Sequence, residues 1–545
     1  MKKITNITIV GGGTAGFMTA TTLLNQFPDK KITLVESPNI STVGVGESTI
    51  PGMNNWLNLV GINYADFMPH CDATFKLSIA FKDWYRKDSG TFHTPFGPLN
   101  MTQHDFGPPG KQEHYDDFDV QLNHWHLKKI FYPETPVSEY AEWFYPSMAL
   151  INQNKSFLMN GEERTTTVGF ANMDHAYQFD ATKFGLWLRD NYCKAKYTNN
   201  FTHILAEVKE IPLNDNGIEY LVLDNGQKLE ADLFVDCTGF KSLLLTQTFD
   251  VEFESLEDFI PNNYAWATKI PYKDPETQIV NYTLCSAVEN GWIWEIPLWS
   301  RMGSGYVFSD KFISSEEALK EFKRSLIKKG YENVEDLEYH LIPMRCGIQS
   351  KLWVKNTCAI GLAAGFIEPL QSTGLTSIYQ FLYNLTHTLS RGHIISEWDR
   401  KEFTTKCHND FSVNAGTVAL SYTLSHRDDT EYWRDIQNRE YPADLFSPFA
   451  EDGITRFFYL GFFDKNHLFK YHSEDAIINC MSVGMNWNPL DIHLMKSSIR
   501  DKNLKKEIEM KIQRMDGRNN RWNEEVKDFP SPYQYLKDNI HTERR

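Results

Sequence analysis

Near the start of the chain, Gly11-Gly12-Gly13-Thr14-Ala15-Gly16 fits the pattern G-x-G-x-x-G, and the chemistry open to such a run is to hold a diphosphate. Between a strand and a helix, glycines let backbone amides and the positive helix end reach phosphate oxygens with no side chain in the way. Glu36 follows Gly16 by twenty residues, where a carboxylate can accept hydrogen bonds from both hydroxyls of an adenosine ribose. A tight structural turn and a surface glutamate would read similarly. Motif, context and acid together favour a dinucleotide.

A βαβ unit has to position these residues. Ile4, Ile7, Ile9 and Val10 predict a strand, Phe17 to Phe27 a helix, and Ile32 to Val35 a second strand. Farther on, the Asn-Gly steps at Asn216-Gly217 and Asn225-Gly226 flank an apolar strand, Ile218 to Leu223, the pattern of a hairpin, and Leu233 to Val235 predicts another strand. From Leu375, the residues Ile378, Tyr379, Leu382, Leu385 and Leu389 fall at helical spacing, with Gly392 placed to end the helix. Lys502 to Arg514 alternates basic and acidic residues and reads as a solvated helix. Neither a repeat nor a low-complexity tract interrupts the chain.

Composition narrows the partners. Of 545 residues, 41% are hydrophobic and 14% aromatic, enough rings to enclose a flat ligand or simply to build a ring-rich core. The net charge of -16 argues against nucleic acid and anionic membrane surfaces, yet leaves room for a local small-anion site. The eight cysteines form no CxxC pair and no Cys/His cluster of zinc spacing, so no metal is expected and reduced thiols of a soluble, cytoplasmic protein are the simplest account. The apolar start is too short for a secretory signal, and no segment has bilayer length.

Three further features could do chemistry. Lys76 lies in an apolar setting, Phe75-Lys76-Leu77, although most lysines are solvated surface charges. Ser372 or Thr373 can cap the helix that begins near Leu375, which would leave the amides of Thr373 and Gly374 as an anion site without lysine or arginine, or make an ordinary capped helix. Trp292 and Trp294 alternate along one predicted strand and would share a sheet face, as core rings or as a lining.

These residues sit in segments that carry a resemblance: Gly44-Val45-Gly46-Glu47-Ser48-Thr49, Phe75-Lys76 with Trp84 following, Trp292-Ile293-Trp294-Glu295-Ile296-Pro297, Gly303-Ser304-Gly305-Tyr306-Val307-Phe308, Trp353-Val354-Lys355-Asn356, Glu368-Pro369-Leu370-Gln371-Ser372-Thr373-Gly374 and Arg427-Asp428-Asp429-Thr430. Through about residue 435 the sequence resembles the tryptophan-halogenase family of flavin enzymes, most specifically in its Trp-x-Trp-x-Ile-Pro segment. The resemblance implies an α/β fold: a Rossmann-like FAD-binding domain of the glutathione-reductase and hydroxylase type with an added β-sheet, over residues 1–395, and a mostly helical C-terminal subdomain, 396–545, covering the substrate.

It also implies roles. Gly11, Gly13, Thr14, Ala15, Gly16 and Glu36 would bind FAD, with Gly46, Glu47, Ser48, Asp236, Gly239, Gly361 and Gly365 as further walls of the cradle. No second dinucleotide motif marks an NAD(P)H site, so the cofactor would arrive as FADH2 from a separate NAD(P)H-dependent flavin reductase. Thr373 and Gly374 would hold chloride, bromide or iodide. Lys76, with its amine made neutral by desolvation, would receive the hypohalous acid, and Gln371 and Ser372 would be the other catalytic residues. Trp292, Trp294 and Pro297 would keep a small aromatic substrate from the flavin, while His93, Phe96, Glu368, Trp433 and Tyr432 are candidate walls of its pocket; the spacing of His93 and Phe96 is one residue longer than in the family.

Gln371 is the main departure, because the family carries there a glutamate that polarises the hypohalous acid and takes the arenium proton. Glutamine keeps hydrogen bonding and loses the base. Water or substrate could take the proton, Glu368 or another carboxylate could substitute, or the enzyme could be weak. The first favours electron-rich phenols, anilines or indoles, and bromide or iodide over chloride. A flavin monooxygenase that hydroxylates its substrate, and a flavin-binding protein impaired in catalysis, are the competing readings.

Overall fold

The computed structural model describes residues 4–39, 47–97, 122–158, 175–392, 394–439, 480–481, 483–485, 500 and 502–542, without the side chains of 122–124, 126 and 127. Gly46 lies outside the described residues. Contacts gather the chain into two compact units, each built from three separate stretches: 1–73, 178–269 and 307–418, and then 74–177, 270–306 and 419–545. Sequence character changes near residue 396, but the helix Glu397–Thr423 that follows extends to the end of the first unit and into the second.

The first unit contains a six-stranded sheet in the order Trp353–Val354, Thr357–Ala359, Leu233–Asp236, Asn6–Val10, Lys31–Glu36, Phe201–Leu205. All its pairings are parallel except that of the first two strands. The central strand Asn6–Val10 buries all but its first residue, as a parallel strand covered on both faces does. The helix Thr14–Gln26 follows it at once, with Gly16 to Leu24 buried without a break.

Two expectations need correction here. The strand expected across Ile218 to Leu223 is broken: Leu213–Asn214 pairs with Gly217–Ile218, and Leu221–Leu223 with Lys228–Leu229. Asn356 explains the break, since its side-chain amide accepts from Ile218 N at 2.9 Å and donates to Ile218 O at 2.9 Å, standing in for a strand neighbour. Each Asn-Gly step nonetheless lies at a hairpin: the first turns at Asp215-Asn216 with Gly217, φ +127°, opening the return strand, and the second turns through Asn225-Gly226, with Gly226 at +80°. The second correction concerns the helix expected to be solvated, which runs over Lys502–Glu525 and buries Ile508, Lys511, Met515 and Trp522 along one side. It packs on the short helices between residues 122 and 152.

In the second unit the strand Gly291–Pro297 pairs antiparallel with Tyr282–Val288, which lies parallel to Ser78–Lys82, itself antiparallel to Thr91–Pro95. Every residue of Gly291–Pro297 is buried, so both of its faces carry packed side chains. All eight cysteines are buried and none is in a disulfide. Among the described residues, no helix is long and apolar enough to cross a membrane.

The close packing of the first turn can be tested directly. A Cβ on Gly16 would stand 1.9 Å from Gly11 O, whereas one on Gly517, in the C-terminal helix, meets nothing within 4 Å. Gly16→Ala is expected to lose about 1–3 kcal/mol in urea unfolding, and Gly517→Ala to gain about 0.4–1 kcal/mol.

Candidate active site

Within the first unit, three distant segments converge on the glycine turn. Gly11 has φ +117°, and a Cβ there would fall 2.2 Å from Cys237 O, so the Asp236–Gly239 loop lies directly against the turn. Gly361 has φ +72°, and its missing Cβ lets Ala15 approach, with 2.6 Å between Ala15 Cβ and the place a side chain would start. A Cβ on Gly12 would collide with the Glu36 carboxyl, at 2.2 Å. The helix Thr14–Gln26 has no side-chain cap, which leaves its first-turn amides for a phosphate. Glu36 also meets a residue not anticipated from sequence: His203 Nε2 lies 2.7 Å from Glu36 Oε2. Parallel pairing explains it, because His203 is opposite Leu34 on the neighbouring strand.

Asp236 plays a different part from Glu36. Its buried carboxylate accepts from Thr238 N at 3.0 Å, Thr238 Oγ1 at 2.6 Å, Leu244 N at 2.7 Å and Leu245 N at 2.9 Å. Burial raises its pKa and these donors pull it back. Four donors commit the carboxylate to shaping the loop that carries Gly239.

The helix expected near Leu375 begins at Thr373 and ends at Ser390, with Gly392 at φ +71° just beyond. Neither hydroxyl caps it. Ser372 holds the N-cap position in the left-handed region, φ 59°, so its Oγ turns to Ser48 Oγ at 3.2 Å, and Thr373 Oγ1 donates to Glu368 O at 3.4 Å. An N-cap side chain reaches the first-turn amides from extended backbone, and Ser372 is not extended. Glu47 Oε2 lies 3.4 Å from where a Gly374 Cβ would be. Burial first, and the Asp180 carboxylate second, raise the pKa of Glu47 to about 7. Glu368 is fully buried and accepts from Asn262 Nδ2 at 2.8 Å, and Gln371, 3% exposed, ends the turn before Ser372.

In the second unit, Lys76 is wholly buried at the end of the strand Thr74–Lys76. Its Nζ lies 5.1 Å from the centre of the Phe96 ring. Loss of hydration lowers its pKa to about 7, and the nearby Cys285 thiol opposes the shift. Cys285 is opposite Trp294 and Phe81, so these share a sheet face, and ring contacts continue from Trp294 to Trp292 at 6.1 Å, Trp84 at 6.4 Å and Trp433 at 5.8 Å. Trp433 Nε1 donates to Val288 O at 2.7 Å. Arg427 stacks on the Trp433 ring at 4.8 Å while its guanidinium holds Asp429 through two bonds of 2.9 and 2.8 Å. Thus the Arg427–Thr430 segment fixes an aromatic wall.

His93 does not join Lys76. It pairs with Ala80, which pairs with Leu284 and so with Glu295, the face opposite Cys285 and Trp294. There His93 Nδ1 lies 3.2 Å from Ser78 Oγ and its ring meets Tyr282 at 5.0 Å, and burial lowers its pKa to about 4. The extra residue between His93 and Phe96 reverses the face, and Thr94, fully buried, takes the position two before Phe96.

A family model described as tryptophan halogenase matches residues 6–478. The chain belongs to the tryptophan halogenase family. The tryptophan 6-halogenase SttH of Streptomyces toxytricini is 32% identical over 461 residues, 81% of this chain and 82% of that one. The tryptophan 7-halogenase RebH of Lentzea aerocolonigenes is 30% identical over 441 residues, 79% and 78% of the two chains. Among solved structures, VirX1 in its apo state superposes with a TM-score of 0.84 at 31% identity, covering 99% of both chains, and the crystal structure of SttH with 0.79 at 29%, covering 98% and 99%.

The halogenase therefore has the FAD-binding fold of its family and is a flavin-dependent enzyme that needs a separate flavin reductase and uses halide to halogenate an aromatic substrate. The three convergent glycines and the uncapped first helix fit the FAD diphosphate, because a side chain at any of those glycines would fill or distort the cradle. His203 and Thr94 escaped sequence reading because cross-strand register is not written in local spacing. Glu36→Ala, which removes the carboxylate over Gly12, is expected to weaken FAD binding about 10–100-fold in fluorescence titration, the worth of charge-assisted hydrogen bonds. His203→Ala should weaken it less.

Proposed function

We propose that the halogenase transfers bromide- or iodide-derived halogen, in preference to chloride, to an electron-rich phenol, aniline or indole. The observation that carries this reading is the buried Lys76 amine beside Phe96, with its pKa drawn down to about 7. The glycine turn and Glu36 would hold the flavin as FADH2, which with oxygen would supply the oxidising power for making hypohalous acid from halide. The amides of Thr373 and Gly374 hold the halide, uncovered by any side-chain cap. Near neutral pH a large share of Lys76 is unprotonated, so its nitrogen can accept a hydrogen bond from hypohalous acid or take the halogen as a haloamine. The chain Trp294, Trp292, Trp84 and Trp433 makes a continuous apolar wall that excludes water and favours a flat substrate.

Gln371 supplies no base, and the Glu368 carboxylate is engaged by Asn262, so water or the substrate takes the arenium proton. That step is easy only when the ring is activated and the halogen soft. The eight buried thiols support a reducing cytoplasm in which an NAD(P)H-dependent reductase delivers the flavin.

Purified protein with FAD, reductase, NADH and an activated phenol or indole, supplied with each halide in turn, should give halogenated product by mass spectrometry, iodide and bromide exceeding chloride. Lys76→Met should abolish it while folding normally, because an apolar group replaces a costly buried amine. A product carrying oxygen instead, formed without halide, would show a hydroxylase.

The protonation state of Lys76 gives a second expectation. A lysine whose pKa is lowered to about 7 is charged below that pH and neutral above it. Single-turnover halogen transfer should therefore rise from pH 6 to pH 8 with a midpoint near 7, and a rate that falls over this range would contradict the neutral amine.

A further inference from the structure

We infer that Glu47 sets the halide affinity of the enzyme by protonation: its neutral carboxyl admits the anion to the Thr373–Gly374 amides, and its carboxylate repels it. The inference rests on the assignment of the halide to those amides. Glu47 and Ser48 form a two-residue strand paired with Phe179 and Gln178, and Ser48 is joined to Ser372 through their hydroxyls at 3.2 Å. This pins the strand against the start of the helix Thr373–Ser390. Glu47 Oε2 then stands 3.4 Å from the absent Gly374 Cβ, and a Cβ is about 2.5 Å from its own backbone nitrogen, so the carboxyl lies within about 6 Å of the Gly374 amide. An anion hydrogen-bonded at that amide and an ionised Glu47 are like charges at short range in a half-buried setting, where screening is weak.

The surroundings keep Glu47 near its switching point. Asp180, the N-cap of the helix Ala181–Trp187, presents the charge that bears on Glu47, and behind it Lys183 is paired with Asp72 at 3.3 Å. From the other side the carboxyl meets the positive end of the helix Thr373–Ser390. Burial, with the Asp180 charge acting in the same direction, prevails over the helix end, and the pKa reaches about 7. An acid raised in this way is neutral below pH 7 and ionised above it, so halide binds more tightly at low pH. By linkage, the halide in turn raises the pKa of Glu47.

The test is equilibrium binding of bromide to the oxidised, FAD-loaded protein, read from the perturbation of flavin absorbance with no reductase present. With one linked proton and a midpoint near 7, the dissociation constant should rise about tenfold between pH 6 and pH 8. Glu47→Gln should bind at both pH values as tightly as the parent does at pH 6. Asp180→Asn keeps a capping side chain and removes the charge, and should move the midpoint to lower pH. Lys76 titrates in the same range, so Lys76→Met is the control and should retain the tenfold change. A pH-independent parent, or a dependence that survives in Glu47→Gln, would overturn the inference. No bromide binding at either pH would remove the halide site itself.

Discussion

The enclosure of one primary amine sets the terms for the rest of the second unit. Lys76 is buried in apolar and aromatic surroundings, and its pKa falls from 10.5 to about 7, so keeping it charged there would cost on the order of 5 kcal/mol. Only a tightly packed environment can hold a lysine out of water, and the Phe96 ring at 5.1 Å and the strand that carries Cys285 are part of it. In the proposed function, the same packing would make the amine a nucleophile near neutral pH and keep bulk water from the halogenating agent. Stability and chemistry thus depend on one exclusion.

In the first unit the controlling constraint is steric. Gly11, Gly12, Gly16 and Gly361 are places where a Cβ would strike backbone or a side chain at 1.9–2.6 Å, so the cradle exists only because four side chains are missing. Three of these glycines belong to one short motif and the fourth comes from a segment some 350 residues away in sequence. Close approach in turn places Glu36 over Gly12, with His203 fixing one carboxylate oxygen.

Around this frame, Gln371 departs from the residue the family carries, while Glu47 lies in a segment that the family resemblance includes. With glutamine in place of the family's carboxylate, the proposed reaction leaves proton removal to the substrate or solvent, which would narrow the accepted rings to activated ones. Glu47 is an ionisable carboxylate beside the start of the helix Thr373–Ser390, and burial, with the Asp180 charge second, brings its pKa to about 7. An enzyme arranged this way would respond to pH at two places with opposite signs: halide capture weakens as pH rises, while the Lys76 amine becomes more reactive.

The sequence by itself determined the βαβ opening, the dinucleotide motif with Glu36, the helix after Ser372 and the family resemblance that singled out Lys76, because these are written in local spacing and in residue types that physical chemistry restricts. It overextended the strand Ile218 to Leu223, since the Asn356 side chain that breaks it arrives from far along the chain. The spacing of His93 and Phe96, one residue longer than in the family, put one of their two roles in doubt, and strand register turns His93 to the face opposite Cys285 and Trp294. Only tertiary structure could bring Asp180 to Glu47, His203 to Glu36 and Cys285 to Lys76, because burial and electrostatic coupling depend on which distant segments meet.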